Sequence, residues 1–151
     1  MDITSRCREL GIVFPEPNSP AGLYAPLARD GDIVYTSGQT PKKAGKLLFT
    51  GKLGAEVSLE KGYEAARLCA LNCLAQIDSA YGADNIEKII KITGYVNSAP
   101  DFFDHPKVMD GASALLRDIF GERGVAARSA IGVAALPGDS TCEVEMVVKM
   151  R

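Results

Sequence analysis

An α+β sandwich, with two long helices packed on one face of a mostly antiparallel sheet, is the architecture this sequence predicts. Three observations carry that expectation. The C-terminal residues alternate cleanly, with Cys142, Val144, Met146, Val148 and Met150 on one side and Glu143, Glu145, Val147 and Lys149 on the other, the period of a strand with one buried face. The segments from Ser58 to Ala80 and from Asp104 or His105 to Phe120 carry apolar residues at helical spacing. Helical and extended segments follow one another with no repeat, linker or low-complexity block between them, which points to one layered domain over residues 1–151.

Taken in order, residues 3–11 form a short helix that stops at Gly11, and Pro15, Pro17 and Pro20 then forbid regular structure until Gly22. Leu23 to Ala28 and Ile33 to Ser37 read as two strands, joined by a tight turn at Asp30-Gly31. A polar stretch with Gly45, Gly51 and Gly54 is a loop holding a short strand near Leu47 to Phe49. Ser58 is a good helix N-cap. The helix it opens buries Ala65, Leu68, Cys69, Asn72, Ala75 and Ile77 on one face and ends at Gly82. Ile89 to Asn97 is a buried strand, with Ile90, Ile92 and Val96 on one face and Ile89 and Tyr95 on the other. The second long helix has Pro106 in its first turn and ends before Gly121. Arg128 to Leu136 is a strand with Arg128, Ala130, Gly132 and Ala134 on one face; Pro137-Gly138-Asp139 is a turn, and Thr141 to Met150 is the last strand. Two helices cover one face of such a sheet. The other face carries apolar and small residues that need a cover, and self-association in a closed ring supplies one.

Composition excludes several functions. Net charge is -2, from 17 Lys+Arg and 19 Asp+Glu, and the densest basic spot is Lys42, Lys43 and Lys46 around a turn. That is a poor footprint for nucleic acid, whose affinity rests on phosphate neutralisation. No apolar run approaches a membrane span. Met1 to Leu10 carries Asp2, Arg6, Arg8 and Glu9 rather than an apolar leader core, and Cys7, Cys69, Cys73 and Cys142 form no disulfide pattern, so a cytoplasmic location is expected.

Few residues offer chemistry. Arg128 begins a strand whose same-face neighbours are Ala130 and Gly132, and a guanidinium above small residues can fork two hydrogen bonds to a carboxylate. Spacing alone leaves open a second reading, a solvated arginine at a strand end. Glu143 and Glu145 lie on the polar face of the last strand, either solvated or holding a water for attack on an electrophilic carbon. Tyr24 is a core aromatic or a pocket wall. Cys69 and Cys73 share a helix face but lack two further ligands, so no metal is expected; the single histidine, His105, starts a helix. No phosphate-binding glycine loop is present.

The run Ala127-Arg128-Ser129-Ala130-Ile131-Gly132-Val133-Ala134-Ala135-Leu136-Pro137, followed by Cys142-Glu143-Val144-Glu145-Met146, resembles the C-terminal signature of the RidA (YjgF-type) family. Tyr35-Thr36-Ser37-Gly38-Gln39, Gly22-Leu23-Tyr24 and Lys91-Ile92-Thr93-Gly94-Tyr95-Val96 resemble its other elements in the same order. Residues 1–20 are an extension relative to its short members. The resemblance implies a chorismate-mutase-like fold and a homotrimer with ligand pockets between subunits. It also implies hydrolysis of reactive 2-imino acids to 2-keto acids and ammonia without a cofactor. Arg128 then grips the substrate carboxylate, Glu143 positions the attacking water, Tyr24 walls the pocket, and backbone carbonyls near Ala130 face the protonated imine. An alternative is a trimer that binds a keto acid through the same pocket without catalysis. A ribonuclease is the weakest reading, given the acidic pI and single histidine.

Two departures bear on the substrate. The family cysteine two residues after the arginine is Ala130, and the asparagine that lines the pocket from the second helix is matched by Asp110, a carboxylate unfavourable beside a substrate carboxylate unless protonated or turned away. A hairpin about Gly138 would set Glu143 opposite about Val133, roughly 17 Å from Arg128. A shared site therefore draws the two residues from different subunits, or these strands are not neighbours.

Overall fold

The computed structural model describes residues 2–151. Its elements run α1 (Ile3–Leu10), β1 (Leu27–Asp30), β2 (Ile33–Thr36), β3 (Lys42–Lys43), β4 (Lys46–Leu47), α2 (Leu59–Tyr81), β5 (Ile86–Asn97), α3 (His105–Phe120), β6 (Ala127–Val133) and β7 (Cys142–Met150). Five strands form one sheet in the order β1-β2-β7-β5-β6, and β3 pairs with β4 in a separate small hairpin. All pairs in the large sheet are antiparallel except β5 with β6. The fold is α+β on a mixed sheet.

The alternation at the C-terminus sets the layers. Cys142, Val144, Met146, Val148 and Met150 are all buried, and they face α2: the Cys73 thiol donates to the Val144 carbonyl at 3.3 Å, and Cys69 lies 3.7 Å from Cys142. The helix α2 begins where expected, with the Ser58 hydroxyl accepting from the Lys61 amide. Burial drives the thiol of Cys73 up to about 12 and that of Cys69 well above its usual range. Both remain neutral core groups. Near the N-terminus, α1 ends at Gly11 in the left-handed region, φ 68°. It is tied down by Thr4, whose amide and hydroxyl both donate to Asp84, and by Arg6, which donates to the Asp118 carbonyl.

Four expectations need correction. The first strand begins at Leu27, not Leu23, because Gly22–Tyr24 turns back on itself through a Tyr24 N–H to Gly22 carbonyl bond and Pro26 intervenes without a donor. The tight turn is Gly31-Asp32, one residue later than read, since Asp30 still pairs with Ile33. Within β5 the faces differ from simple alternation. Register shifts at Ile86/Lys88 and Ile89/Lys91 bring Ile86, Ile89, Ile92 and Val96 to the same buried side, because each bulge adds a residue and resets the parity. Finally, β6 ends at Val133, and the chain then passes over the end of β5 to reach β7. The last two strands are therefore not hairpin neighbours, which was one of the two outcomes anticipated for Arg128 and Glu143.

The layers leave the far face of the sheet partly open. Tyr35 pairs with Val147, Tyr95 with Glu143 and Ile131 with Tyr95, so all lie on that face. Tyr35 and Ile131 are each about half exposed, at 50% and 47%. Because β6 is an edge strand, half of its backbone hydrogen-bonding groups have no ladder partner within the chain.

Candidate functional site

Glu143 stands on the open face of β7, at the wall of a cavity of about 480 Å³. The strand holds it there through Val144, whose amide and carbonyl exchange hydrogen bonds with Gln39 at 3.0 and 2.8 Å. That bridge lays Gly38 against the Glu143 side chain. A Cβ on Gly38 would sit 2.8 Å from the carboxyl carbon and Oε1, so any larger residue at 38 would push the Glu143 carboxyl from its place. Tyr24 lines the same cavity, its hydroxyl accepting from the Ala21 amide at 3.2 Å. Lys42, Pro137 and Gly138 complete the rim.

Burial raises the carboxyl pKa of Glu143 above the usual value, and the negative charge of Glu145 adds to the effect. Glu145 in turn accepts from the Tyr95 hydroxyl at 2.8 Å. A carboxyl whose folded-state pKa exceeds its unfolded value favours the protonated fold. Its contribution to stability is complete below the unfolded value and is lost as pH rises through the folded one. Glu143→Gln is therefore expected to melt above the parent at neutral pH, with the difference vanishing in acid. Thermal unfolding followed between about pH 4 and pH 8 checks this, and a pH-independent difference would contradict it.

Arg128 occupies a different place. It lies on the helix-facing side of β6 and pairs in register with Ile92. Its guanidinium donates to Asp110 Oδ1 at 2.8 Å, to the Ser113 hydroxyl at 3.0 Å and to the Pro106 carbonyl at 3.3 Å, all on α3. Ala130 follows on the same side, partly buried against the core and opposite Gly94. Arg128 and Glu143 thus project from opposite faces of the sheet. They are separated by the whole of β5 and by three residues along it, about 14 Å by strand spacing and rise. The structure brings Tyr24 and Glu143 together and keeps Arg128 and Ala130 apart from them.

Sequence reasoning missed one supporting group. Lys52 Nζ donates to Asn97 Oδ1 and to the Ala134 carbonyl, both at 2.6 Å, and Asn97 Nδ2 donates to Asp139 Oδ1 at 3.0 Å. This partly buried network, centred on the buried Asn97, ties down the segment after β6 that carries Pro137 and Gly138 to the cavity rim. Its members are 42 and 45 residues apart in sequence, so no local pattern signals them. Among the described residues no group of three or more His, Cys, Asp or Glu is placed to hold a metal ion, and no helix is long and apolar enough to cross a membrane.

Helices on one face of a mixed sheet, with a carboxylate-walled cavity on the other, define a chorismate-mutase-like α+β protein. Residues 4–150 match the family described as "YjgF/chorismate_mutase-like, putative endoribonuclease", and the chain belongs to that family. It is 37% identical over 151 residues to Protein TCP17 of Trypanosoma cruzi, covering 99% of this chain and 94% of that one. A solved structure described as a "putative endoribonuclease" from Shewanella oneidensis shares 37% identity over 99% of this chain and 100% of its own, with a TM-score of 0.95. The YjgF gene product of E. coli is 26% identical over 92% of this chain and 96% of its own, with a TM-score of 0.61.

Proposed function

We propose that this protein is a cytoplasmic homotrimeric deaminase that hydrolyses reactive 2-imino acids, and their enamine tautomers, to 2-keto acids and ammonia. In this reading each working site is a cleft between two copies. Tyr24, Gly38 and Glu143 of one copy face Arg128 and Ala130 of the next. The observation that carries the reading is Glu143, a half-buried carboxyl of raised proton affinity on the wall of a roomy cavity, on the opposite face of the sheet from Arg128. The half-exposed Tyr35 and Ile131 and the open edge of β6 are the surfaces that association would cover.

The chemistry suits these groups. Arg128 anchors the substrate carboxylate and so fixes the adjacent C=N carbon. Glu143 takes a proton from water as its oxygen bonds to that carbon, then returns it to the nitrogen as the C–N bond breaks. The balance is R–C(=NH2+)–COO− plus H2O giving R–CO–COO− plus NH4+. Imines already hydrolyse in water, so modest acceleration suffices. Ribonuclease activity has less support, with net charge -2 and one histidine.

A second reading, keto-acid binding without turnover, draws on the guanidinium of Arg128 being already engaged by three partners on α3. One assay separates the two. Ammonia and keto-acid release from a panel of freshly generated 2-imino acids is expected to exceed the spontaneous rate and to fall to background in Arg128→Ala. Release at the spontaneous rate, together with an Arg128-dependent thermal shift by keto acids, would favour binding alone.

A further inference from the structure

Arg128 is paired with an acid at the place where it would meet a ligand. Asp110 Oδ1 lies 2.8 Å from the guanidinium, and the Asp110 side chain is 58% exposed, so its carboxylate faces outward beside Arg128 rather than being sealed in the core. The bonds to Asp110, Ser113 and Pro106 use three of the five guanidinium N–H groups. Two remain for a ligand carboxylate. Asp110 and Ser113 also line a shallow cavity of about 290 Å³ next to the pair. Arg117 lines the same cavity two helical turns beyond Asp110, about 10 Å along the axis, but the ion pair that Asp110 makes among the described residues is with Arg128.

A ligand carboxylate on those two donors would lie within a few ångströms of the Asp110 carboxylate. A simple anion meets like-charge repulsion there. A ligand with a cationic nitrogen one carbon from its carboxylate gives each charge an opposite partner. We infer that the Arg128–Asp110 pair selects zwitterionic 2-amino or 2-iminium acids over 2-keto acids, with Asp110 as the specificity-determining residue. This rests on the imine-hydrolysis reading above and gives it a direction. The protonated imine is the more electrophilic form and is zwitterionic, so the pair holds it. The keto acid has lost the cation and is repelled, which clears the product.

Calorimetric titration with 2-aminobutanoate and 2-oxobutanoate, identical in carbon skeleton, tests the inference. The parent protein is expected to bind the amino acid at least about tenfold more tightly than the keto acid. Asp110→Asn should largely erase that preference, tightening the keto acid about tenfold, while Arg128→Ala loses both ligands. The exposure of Asp110 makes the asparagine variant tolerable to the fold, which its melting temperature verifies. An unchanged preference in folded Asp110→Asn, with both ligands still dependent on Arg128, overturns the selectivity and leaves the deaminase reading standing. Absence of any Arg128-dependent binding, with no imine turnover, overturns both.

Discussion

Mixing two inactive variants, Arg128→Ala and Glu143→Gln, is expected to restore about a quarter of the parent imine-hydrolysing activity. Each variant alone should fall to about the spontaneous rate, since one lacks the carboxylate anchor and the other the general base. The recovery follows from geometry. The two side chains leave opposite faces of one sheet, with β5 between their strands, so a single copy does not present both to one ligand. In the deaminase trimer proposed above, each site would take its arginine from one copy and its glutamate from the next. Random association of equal amounts makes about three trimers in four mixed, and every mixed ring contains one site with both native residues. Co-expression of the two variants in equal amounts, with measurement of ammonia release from the unselected trimers, provides the check; rings purified through two different tags are all mixed and should show about a third instead. Activity no higher than in the separate variants would mean that no site is shared between copies.

Where one face is buried and the other wet, the sequence was easy to read. Cys142 to Met150 declared its strand and its buried face because period-two burial leaves a plain trace. The cap at Ser58 and the stop at Gly82 bound α2 as expected, since capping is local chemistry. Neighbouring apolar residues carry no phase, and so Ile89 and Ile90 hid the bulge that turns Ile89 inward. Pro137-Gly138-Asp139 does form a turn, but a turn signal does not say which strand the chain pairs with next. Here it leads past β5 rather than back along β6. The site divides in the same way. Arg128, Glu143, Tyr24 and the pocket position of Asp110 could be picked from a family resemblance, whereas the contacts among Lys52, Asn97 and Asp139 span 42 and 45 residues. Such contacts are products of packing, and no local pattern announces them.

Gly111→Ala is expected to destabilise the protein by about 3 kcal/mol or more, well beyond what an ordinary helix substitution does. By propensity alone the change should help: alanine in a helix interior is favoured over glycine by about 0.8–1 kcal/mol. Packing reverses the sign. Gly111 is buried on α3 where that helix crosses α2, and an added Cβ would sit inside the contact radius of the Tyr63 carbonyl oxygen. That oxygen belongs to the backbone of α2 and cannot swing aside as a side chain would, so the two helices must separate along their contact. Separation would also loosen Met109, Ala112 and Leu116, all fully buried in the same layer. Gly62→Ala is the informative partner. Its Cβ would meet the Leu53 side chain, at 2.7 Å from Cδ1, and a leucine can change rotamer at smaller cost. For a chain of this length 3 kcal/mol lowers the melting temperature by about 6–12 °C. Thermal unfolding of the two variants should therefore show a large loss for Gly111→Ala and a smaller one for Gly62→Ala. A Gly111→Ala protein as stable as the parent would mean that α2 and α3 do not pack backbone to backbone, and the layer that fixes Arg128 through Asp110 and Ser113 would have to be placed differently.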